Sequence, residues 1–458
     1  MTTEQLSPLD VAFLCLEDDQ NPMHLGAVAT FAPHHPVHPA RIVALLCERA
    51  QEVPVLRRRT RVSWLPLGGA TWVDDPRFSV EDHVAGHHLR GHGGEDRFAE
   101  LVSALMAQPL DMTRPPWELH VVTGLTGGRF AVVVKLHHAL CDGMKAIGLG
   151  VRLLDDLGRD LPVARRPEPE PIRLSTSVVD LVKGFAHTAA IASAVLRSAR
   201  TPITRSPVLT RSSRPRQVVM ARLGLDEVQR VRKQHGGTVN DVLLALMTGA
   251  LRQWLVAHDS AAEGTTVRAL IPVSQRARDP RGASGNRISG FLCELPVGES
   301  DARERLRVVR EDMDRNKAAG PGRGPGALPL LADRIPAAVH RLATPFAGRC
   351  APLLFDAVVT SVRLPALPLA LDGAELKEMY PVAPVAAGHA VGIALSVYRN
   401  GVHICLHTNQ PWISGSRWLL AALRRELGAL DVPGGREVLK VREVPKARDV
   451  VKARVDRA

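Results

Sequence analysis

Two stretches in which strand patterns alternate with helix patterns flank one proline-rich, basic segment, and this arrangement limits the chain to α/β units joined by a crossover. The first stretch contains predicted strands over 25–31, 117–125 and 129–136 and predicted helices over 39–50, 97–107 and 143–157. No repeat with a period of 20–50 residues interrupts it. The chain therefore does not fold as a solenoid or a propeller.

The second stretch shows the same alternation. It contains predicted strands over 266–273, 290–296, 391–398 and 402–408 and predicted helices over 240–258, 302–317 and 414–427. The last two strands flank Arg399-Asn400-Gly401, which is typical of a hairpin turn. The expected fold class is therefore α/β, with mixed sheets in two halves of similar size.

The segment between the halves differs in composition from both. It opens with ARRPEPEPIR, continues with an amphipathic stretch over 174–199, and ends in a polar, proline-rich run expected to be an exposed loop. We predict a first domain over 1–164, a crossover over 165–216, a second domain over 217–434 and a charged tail over 435–458. A second glycine- and proline-rich stretch, 320–326, is predicted to be a hinge.

The positive charge is confined to the crossover and the tail. Residues 165–216 have a net charge of +7 and residues 435–458 of +4, whereas the rest of the chain, with 41 basic and 40 acidic residues, is nearly neutral. Such segments suit an anionic membrane surface or another phosphate-rich partner. Phe185 is the only aromatic residue in either segment, which argues against nucleic acid. A solvated linker and tail are the alternative.

The rest of the composition excludes several protein classes. No stretch approaches the roughly 20 apolar residues of a membrane span, and the N-terminus lacks the features of a secretory signal. Six scattered cysteines without a C-x-x-C pair indicate reduced thiols rather than a disulfide scaffold or a zinc module. We expect a cytoplasmic protein associated peripherally with membranes.

The strongest local signal is VVVKLHHALCDG, residues 132–143, in which an apolar strand ends at two histidines and an Asp-Gly pair opens a helix. An imidazole at a strand end suits a general base near neutral pH. Since neighbouring residues of a strand face opposite ways, His137 and His138 cannot both point into one cleft. Gly143 is expected to permit a tight turn into the helix.

The pattern His137-His138-x-x-x-Asp142-Gly143 resembles the motif of the CoA-dependent acyltransferase superfamily, which includes nonribosomal condensation domains. Other stretches are similar to the bacterial wax ester synthase/diacylglycerol acyltransferase family. They are Leu6-Ser7-Pro8-Leu9-Asp10 with Phe13, Met23-His24-Leu25-Gly26, Pro115-Pro116-Trp117-Glu118, Asn240-Asp241, Ile271-Pro272-Val273-Ser274 and Gly285-Asn286-Arg287 with Ser289. The resemblance covers about residues 5–430 and implies two chloramphenicol-acetyltransferase-like domains with an active-site tunnel between them.

The resemblance also implies a reaction and roles for the residues. A fatty acyl group would pass from acyl-CoA to the hydroxyl of diacylglycerol or a long-chain alcohol, without metal, prosthetic group or acyl-enzyme. His138 would be the general base, His137 its orienting partner, and Asp142 a structural residue that pairs with an arginine. Asp142 is alternatively a helix N-cap.

Two further positions carry weaker assignments. Asn240 would donate a hydrogen bond to the oxyanion, or else would be a helix N-cap. Asn286 and Arg287 would line the tunnel, or else form a turn. Cys141 as a nucleophile is the less favoured alternative to a buried filler residue. His83, His87, His88 and His92 lack carboxylate partners on one face, so no metal site is expected.

Two competing functions remain open at this point. One is a condensing or tailoring enzyme that acts on a carrier-bound or polyketide-type acceptor; the other is a non-catalytic protein of lipid surfaces. The intact histidine motif argues against the second, and Pro115-Pro116-Trp117-Glu118 without an adjacent carrier domain argues against the first.

Overall fold

Two six-stranded mixed sheets covered by helices form the body of the molecule. The computed structural model describes residues 4–63, 69–90, 94–155, 206, 208, 216–258, 263–274, 288–320, 327–335, 337–409 and 415–431. Within these ranges the predicted mixed α/β class is confirmed. None of the described helices is long and apolar enough to cross a membrane.

The first part of the chain builds most of the first large sheet and a small sheet beside it. Its strands are β1 (Glu4–Gln5), β2 (His24–Ala32), β3 (Arg58–Val62), β4 (Ala70–Asp74), β5 (Val84–His88), β6 (Trp117–Thr123) and β7 (Phe130–His137). Its helices are α1 (Pro8–Leu16), α2 (Pro39–Gln51), α3 (Glu95–Ala107) and α4 (Gly143–Arg152). The small sheet has the order β1-β4-β3.

The second part builds the other large sheet. Its strands are β8 (Gln217–Gly224), β9 (Val267–Ser274), β10 (Ile288–Leu295), β11 (Ala357–Arg363), β12 (Ala370–Leu371), β13 (Ala374–Val382), β14 (Val391–Tyr398) and β15 (Gly401–Thr408). Its helices are α5 (Leu225–His235), α6 (Val239–Ala257), α7 (Ala302–Ala319), α8 (Leu328–Arg334), α9 (Ala337–Cys350) and α10 (Gly415–Asp431). The sheet has the order β10-β9-β11-β14-β15-β8.

Strands β12 and β13 leave the second part and complete the first sheet, whose order is β12-β13-β2-β7-β6-β5. Strand β13 pairs antiparallel with β2, with Tyr380 opposite Val28 and Pro381 opposite Ala27. The ring of Tyr380 meets the ring of His403 on β15 edge to face at 5.2 Å. Strand β13 thus ties the two sheets together. The domain boundaries at residues 164 and 217 stay a prediction.

Successive side chains of β2 point to opposite faces of the sheet, one in the core between the sheets and the other toward a cavity. Val28 is fully buried in a core between the sheets that also contains Val133 and Val218. Leu25, Ala27 and Ala29 face the other way and remain half-buried although β2 lies inside the sheet. Their exposure is to an internal cavity, described below.

Two predictions about local structure need correction. Helix α4 ends at Arg152 rather than at residue 157, because the Asp155 backbone N–H donates to the carbonyl of Ala370 and takes the chain into a tertiary contact. The run before β8 is not simply an exposed loop: Ser206, Val208 and Arg216 are all buried. The predicted helix over 174–199, the rest of the crossover, the hinge after Gly320 and the tail lie outside the described residues.

Candidate active site

A cavity of about 1110 Å³ lies between the two halves of the chain. It slightly exceeds the roughly 300–1,000 Å³ of ordinary ligand pockets. Its wall is mostly apolar and includes side chains from β2, β7, β9, β13 and α4. Four of the candidate site residues border it together, namely His138, Asp142, Gly143 and Asn240.

His138 occupies the first position of the turn that follows β7. Its backbone N–H donates to the carbonyl of Met23 at 2.9 Å, which fixes the turn to the start of β2. Its imidazole stacks on the ring of Phe13, with 4.0 Å between centroids and 20° between planes. Burial lowers the pKa of His138 to about 4, with a smaller opposing effect from its own backbone carbonyl. At neutral pH the imidazole is uncharged and able to accept a proton.

His137 lies behind His138, fully buried and away from the cavity. Its backbone N–H donates to the carbonyl of Pro116 at 3.0 Å, and its Nδ1 accepts from the Ala139 N–H at 3.1 Å. Since Nδ1 accepts, the ring proton of the neutral imidazole is on Nε2. His137 therefore holds both sides of the turn that presents His138.

Glu17 is a site residue that the sequence analysis missed. One of its oxygens, Oε2, lies 3.2 Å from His137 Nε2. The other, Oε1, accepts a hydrogen bond from the Met23 N–H at 3.1 Å. The carboxylate thus links the buried histidine to the residue that anchors His138. The available signal was an acidic residue directly after the apolar run of α1.

Asp142 is the N-cap of α4, and its side chain accepts from the Lys145 N–H at 2.9 Å. The N-cap alternative is thus what the structure contains; the arginine partner stays a prediction. The expected tight turn at Gly143 is wrong, since the turn lies at 138–140 and Gly143 is the first residue of the helix. A Cβ on Gly143 would meet only Val362 Cγ1, at 3.9 Å, so the glycine leaves space in the cavity rather than enabling the backbone conformation.

Asn240 is not a helix N-cap, and that alternative is wrong. Thr238 is the N-cap of α6 and forms a capping box with Asp241, whose N–H donates to Thr238 Oγ1 at 3.2 Å. A T-x-x-D pattern before an apolar run is the signal for this cap. Asn240 is left at the first turn of a 19-residue helix, bordering the cavity. The positive end of the helix dipole points toward the same place.

Cys141 is a buried thiol rather than an exposed one. Burial, followed by the nearby Asp142 carboxylate, raises its pKa far above the usual value. Since the thiolate is the nucleophilic form, this environment speaks against Cys141 as a nucleophile.

The histidines of the 83–92 region have partners of other kinds. His83 Nδ1 contacts the Trp117 carbonyl at 2.9 Å, His87 contacts His120 at 3.2 Å, and His88 contacts Thr123 at 3.1 Å. Over the described ranges, no three His, Cys, Asp or Glu side chains form a group suited to a metal ion. His92, Asn286 and Arg287 lie outside the described residues.

Two kinds of sequence comparison match the chain to known proteins. Residues 6–243 match the wax ester synthase/diacylglycerol acyltransferase catalytic domain, and residues 284–431 match the C-terminal domain of the same family. The chain is 29% identical over 414 residues to a Mycobacterium tuberculosis protein named as a probable diacylglycerol O-acyltransferase, an alignment that covers 87% of this chain and 89% of that one.

Solved structures of the same architecture include three that cover nearly the whole chain. The wax ester synthase/diacylglycerol acyltransferase from Marinobacter aquaeolei is 25% identical with a TM-score of 0.68, covering 93% of this chain and 98% of that one. A trichothecene 15-O-acetyltransferase from Fusarium sporotrichioides is 10% identical with a TM-score of 0.62, covering 94% and 95%. The first condensation domain of the CDA synthetase is 16% identical with a TM-score of 0.58, covering 95% and 97%. The last two likenesses establish the fold alone, and the predicted two-domain acyltransferase fold is confirmed.

Proposed function

The chain belongs to the wax ester synthase/diacylglycerol acyltransferase family, and from this premise we propose how its cavity carries out acyl transfer. The protein is an acyl-CoA-dependent O-acyltransferase that forms triacylglycerol or wax ester. The observation that supports our mechanism is the uncharged imidazole of His138 on the wall of an apolar cavity bordered by both sheets.

His138 acts as the general base. The acceptor hydroxyl oxygen attacks the thioester carbonyl carbon while His138 takes the hydroxyl proton. The tetrahedral intermediate then collapses, the carbon–sulfur bond breaks, and His138 returns the proton to the departing CoA sulfur. General-base catalysis of this kind contributes roughly 10²–10⁴ in rate. Acyl-CoA is the cosubstrate, and no prosthetic group, metal ion or acyl-enzyme takes part in the proposal.

Asn240 donates to the oxyanion of the tetrahedral intermediate. Its amide borders the same cavity as His138, at the N-terminus of α6, where the first backbone N–H groups have no intrahelical acceptor. One such donor is worth about 10²–10³ in rate. His137, held near Glu17, orients the turn, and Asp142 fixes the start of α4. Asn286 and Arg287 remain proposed tunnel residues.

The function is tested by incubating the purified protein with labelled palmitoyl-CoA and either diacylglycerol or hexadecanol. We expect labelled triacylglycerol or wax ester, with free CoA released in equal amount. Transfer only to a carrier-bound acceptor would replace the proposal with a condensing or tailoring activity. An acylated Cys141 in mass spectrometry would replace direct transfer with a covalent mechanism.

The basic segments, residues 165–216 and 435–458, bind anionic lipid surfaces where the water-insoluble substrates reside. Each Lys or Arg near such a surface contributes about 1 kcal/mol. Arg216 does not contribute, because its side chain is buried. Charge reversal of Arg211 and Arg214 should weaken co-sedimentation with anionic vesicles but not with neutral ones. If the charge-reversed variant and the unaltered protein bind anionic and neutral vesicles equally well, these segments are only linkers.

A further inference from the structure

The cavity extends away from His138 as a slot between the first sheet and helix α4. Its floor is one face of the sheet, on which Leu25, Ala27, Ala29 and Phe31 follow one another along β2. Val132, Val134 and Leu136 of β7 continue the floor beside them, opposite Ala29, Ala27 and Leu25. The slot is therefore a continuous apolar surface that runs along the strands.

The start of the slot lies at the catalytic histidine. His24 pairs with His137 in the register of β2 and β7, and Met23 accepts the hydrogen bond from the His138 N–H. Leu25 is thus the first floor residue next to the reacting centre. Helix α4, which forms the roof, also begins at this end, directly after Asp142.

The far end of the slot is closed by bulky side chains. Phe31 is 1% exposed, whereas Leu25, Ala27 and Ala29 are each half-buried, so the floor stops being accessible at Phe31. Leu46 of α2 and Leu371 of β12, both also buried, border the cavity. Phe31 lies opposite Leu376, five residues after Leu371, which places the β12–β13 turn at this end.

A polar clamp holds the roof down at the same end. Arg49 donates to the Leu153 carbonyl at 2.8 Å and to Asp155 Oδ1 at 2.9 Å. Asp155 in turn accepts from the backbone N–H groups of Asp372 and Gly373, at 3.0 and 2.9 Å. The C-terminal end of helix α4 is thereby fixed to α2 and to the β12–β13 turn.

The length of the slot corresponds to a long acyl chain. Six residues separate Leu25 from Phe31, which is about 20 Å at the rise of a strand. An extended chain advances roughly 1.2 Å per bond, since a three-bond residue spans at most about 3.6 Å, so the slot holds about 16 carbons. Ala27 and Ala29 leave the room above the floor that larger side chains would fill.

We propose that the slot over Ala27 and Ala29 binds the alkyl chain of the acyl donor and that Phe31 limits its length to about 16 carbons. The inference rests on the proposed acyltransferase function. The chain enters with its thioester at His138 and its methyl end at Phe31, Leu46 and Leu371. The positions along β2 are fixed because the strand lies inside a six-stranded sheet, so the distance from His138 to Phe31 sets the longest acyl chain that fits.

The test fills the slot at two depths. Ala29→Leu blocks it about 7 Å before Phe31 and Ala27→Leu about 13 Å before it. The optimum of kcat/KM over acyl-CoA donors should shift from about 16 to about 11 and then about 6 carbons, in that order. With Ala27→Leu, kcat/KM for palmitoyl-CoA should fall at least about tenfold, while that for hexanoyl-CoA stays within about twofold.

Val28→Ala is the matched control, since Val28 lies on the opposite face of the same strand. Its donor profile should remain that of the unaltered protein. A second series varies the alcohol at fixed palmitoyl-CoA, and a shift there without a shift in the donor series would overturn the proposal by assigning the slot to the acceptor. Unchanged donor profiles in both Ala27→Leu and Ala29→Leu would also overturn it.

Calorimetric titration with the same acyl-CoA series separates this inference from the proposed function. Loss of long-chain acyl-CoA affinity in Ala27→Leu supports the slot even where no acceptor is turned over. Absence of acyl transfer by the unaltered protein would contradict the function, whereas equal long-chain affinity of all variants would contradict the slot.

Discussion

His138 stacks on Phe13 with 4.0 Å between the ring centroids, so that one face of its imidazole is shielded from solvent by α1. This shielding is part of the burial that lowers the pKa of His138 to about 4. A general base must be unprotonated, and a histidine of ordinary pKa, about 6.5, would lose its activity below pH 6.5.

The pH at which activity falls on the acid side should therefore lie well below 6.5, the pKa of an ordinary histidine. We expect kcat/KM for acyl transfer to stay constant from pH 8 to about 5.5 and to fall tenfold per pH unit only as the pH drops below about 4. A histidine with a pKa of 6.5 would already have lost about tenfold at pH 5.5. A midpoint near 6.5, measured with folded protein, would contradict the assignment.

His138→Ala and Cys141→Ala should have opposite effects on turnover. Loss of the base should reduce kcat by about 10²–10⁴, whereas Cys141→Ala should retain most of the activity because the protonated thiol only fills space. Both variants should keep the circular dichroism spectrum of the unaltered protein. A well-folded but inactive Cys141→Ala would reverse the assignment.

Asn240 and Thr238 separate oxyanion stabilisation from helix capping. Asn240→Ala should lower kcat about 10²–10³-fold and leave thermal stability nearly unchanged. Thr238→Ala, which removes the capping side chain, should cost about 1 kcal/mol of stability with little effect on kcat. Steady-state kinetics and urea unfolding of both variants give the comparison, and similar activities for the two would remove Asn240 from the mechanism.

Glu17→Gln tests whether a carboxylate is required beside His137. The Met23 N–H donates to Oε1 of Glu17, and His137 Nε2 lies 3.2 Å from Oε2 outside hydrogen-bond geometry. An amide would remove the negative charge and one of the two acceptor oxygens. Because the carboxylate charge no longer holds His137 and the turn that presents His138, we expect kcat to fall about tenfold with KM for acyl-CoA unchanged. Asp19→Asn, an exposed neighbour with the same change of charge, is the control and should behave as the unaltered protein.

Stability should decrease in mild acid because several histidines are buried and uncharged. Burial lowers the pKa of His407 to about 4 and that of His403 to about 3, and lowers that of His24 as well. Below pH 6.5 the unfolded chain binds these protons before the folded chain does, so the free energy of unfolding falls with decreasing pH.

Each such histidine contributes a slope of about 1.4 kcal/mol per pH unit between its folded-state pKa and 6.5. His407→Gln should therefore reduce the slope of the unfolding free energy against pH by about 1.4 kcal/mol per pH unit between pH 6 and 4.5. Urea unfolding at each pH measures this slope. An unchanged slope would show that His407 is already protonated in the folded state.

Local patterns in the sequence determined the elements that carry the chemistry. The strand before His137 and His138 and the hairpin around Asn400 follow from a period of two and from turn residues, which act over a few neighbours. The strand Ala357–Arg363 and the helices Leu328–Arg334 and Ala337–Cys350 were missed. The two helices contain proline or glycine and small residues whose local preference is weak, so tertiary packing decided their structure. The strand, AVVTSVR, is rich in β-branched residues, so a local signal for it was present.

The motif identified the base, and only the tertiary structure decided its surroundings. Glu17 lies 120 residues before His137, and Phe31 reaches the slot through strand pairing, so neither relationship leaves a trace in local spacing. The same holds for β13, which comes from the second part of the chain but completes the first sheet. Contacts between distant segments depend on which apolar faces pack together, and that is set by the whole fold rather than by any short stretch.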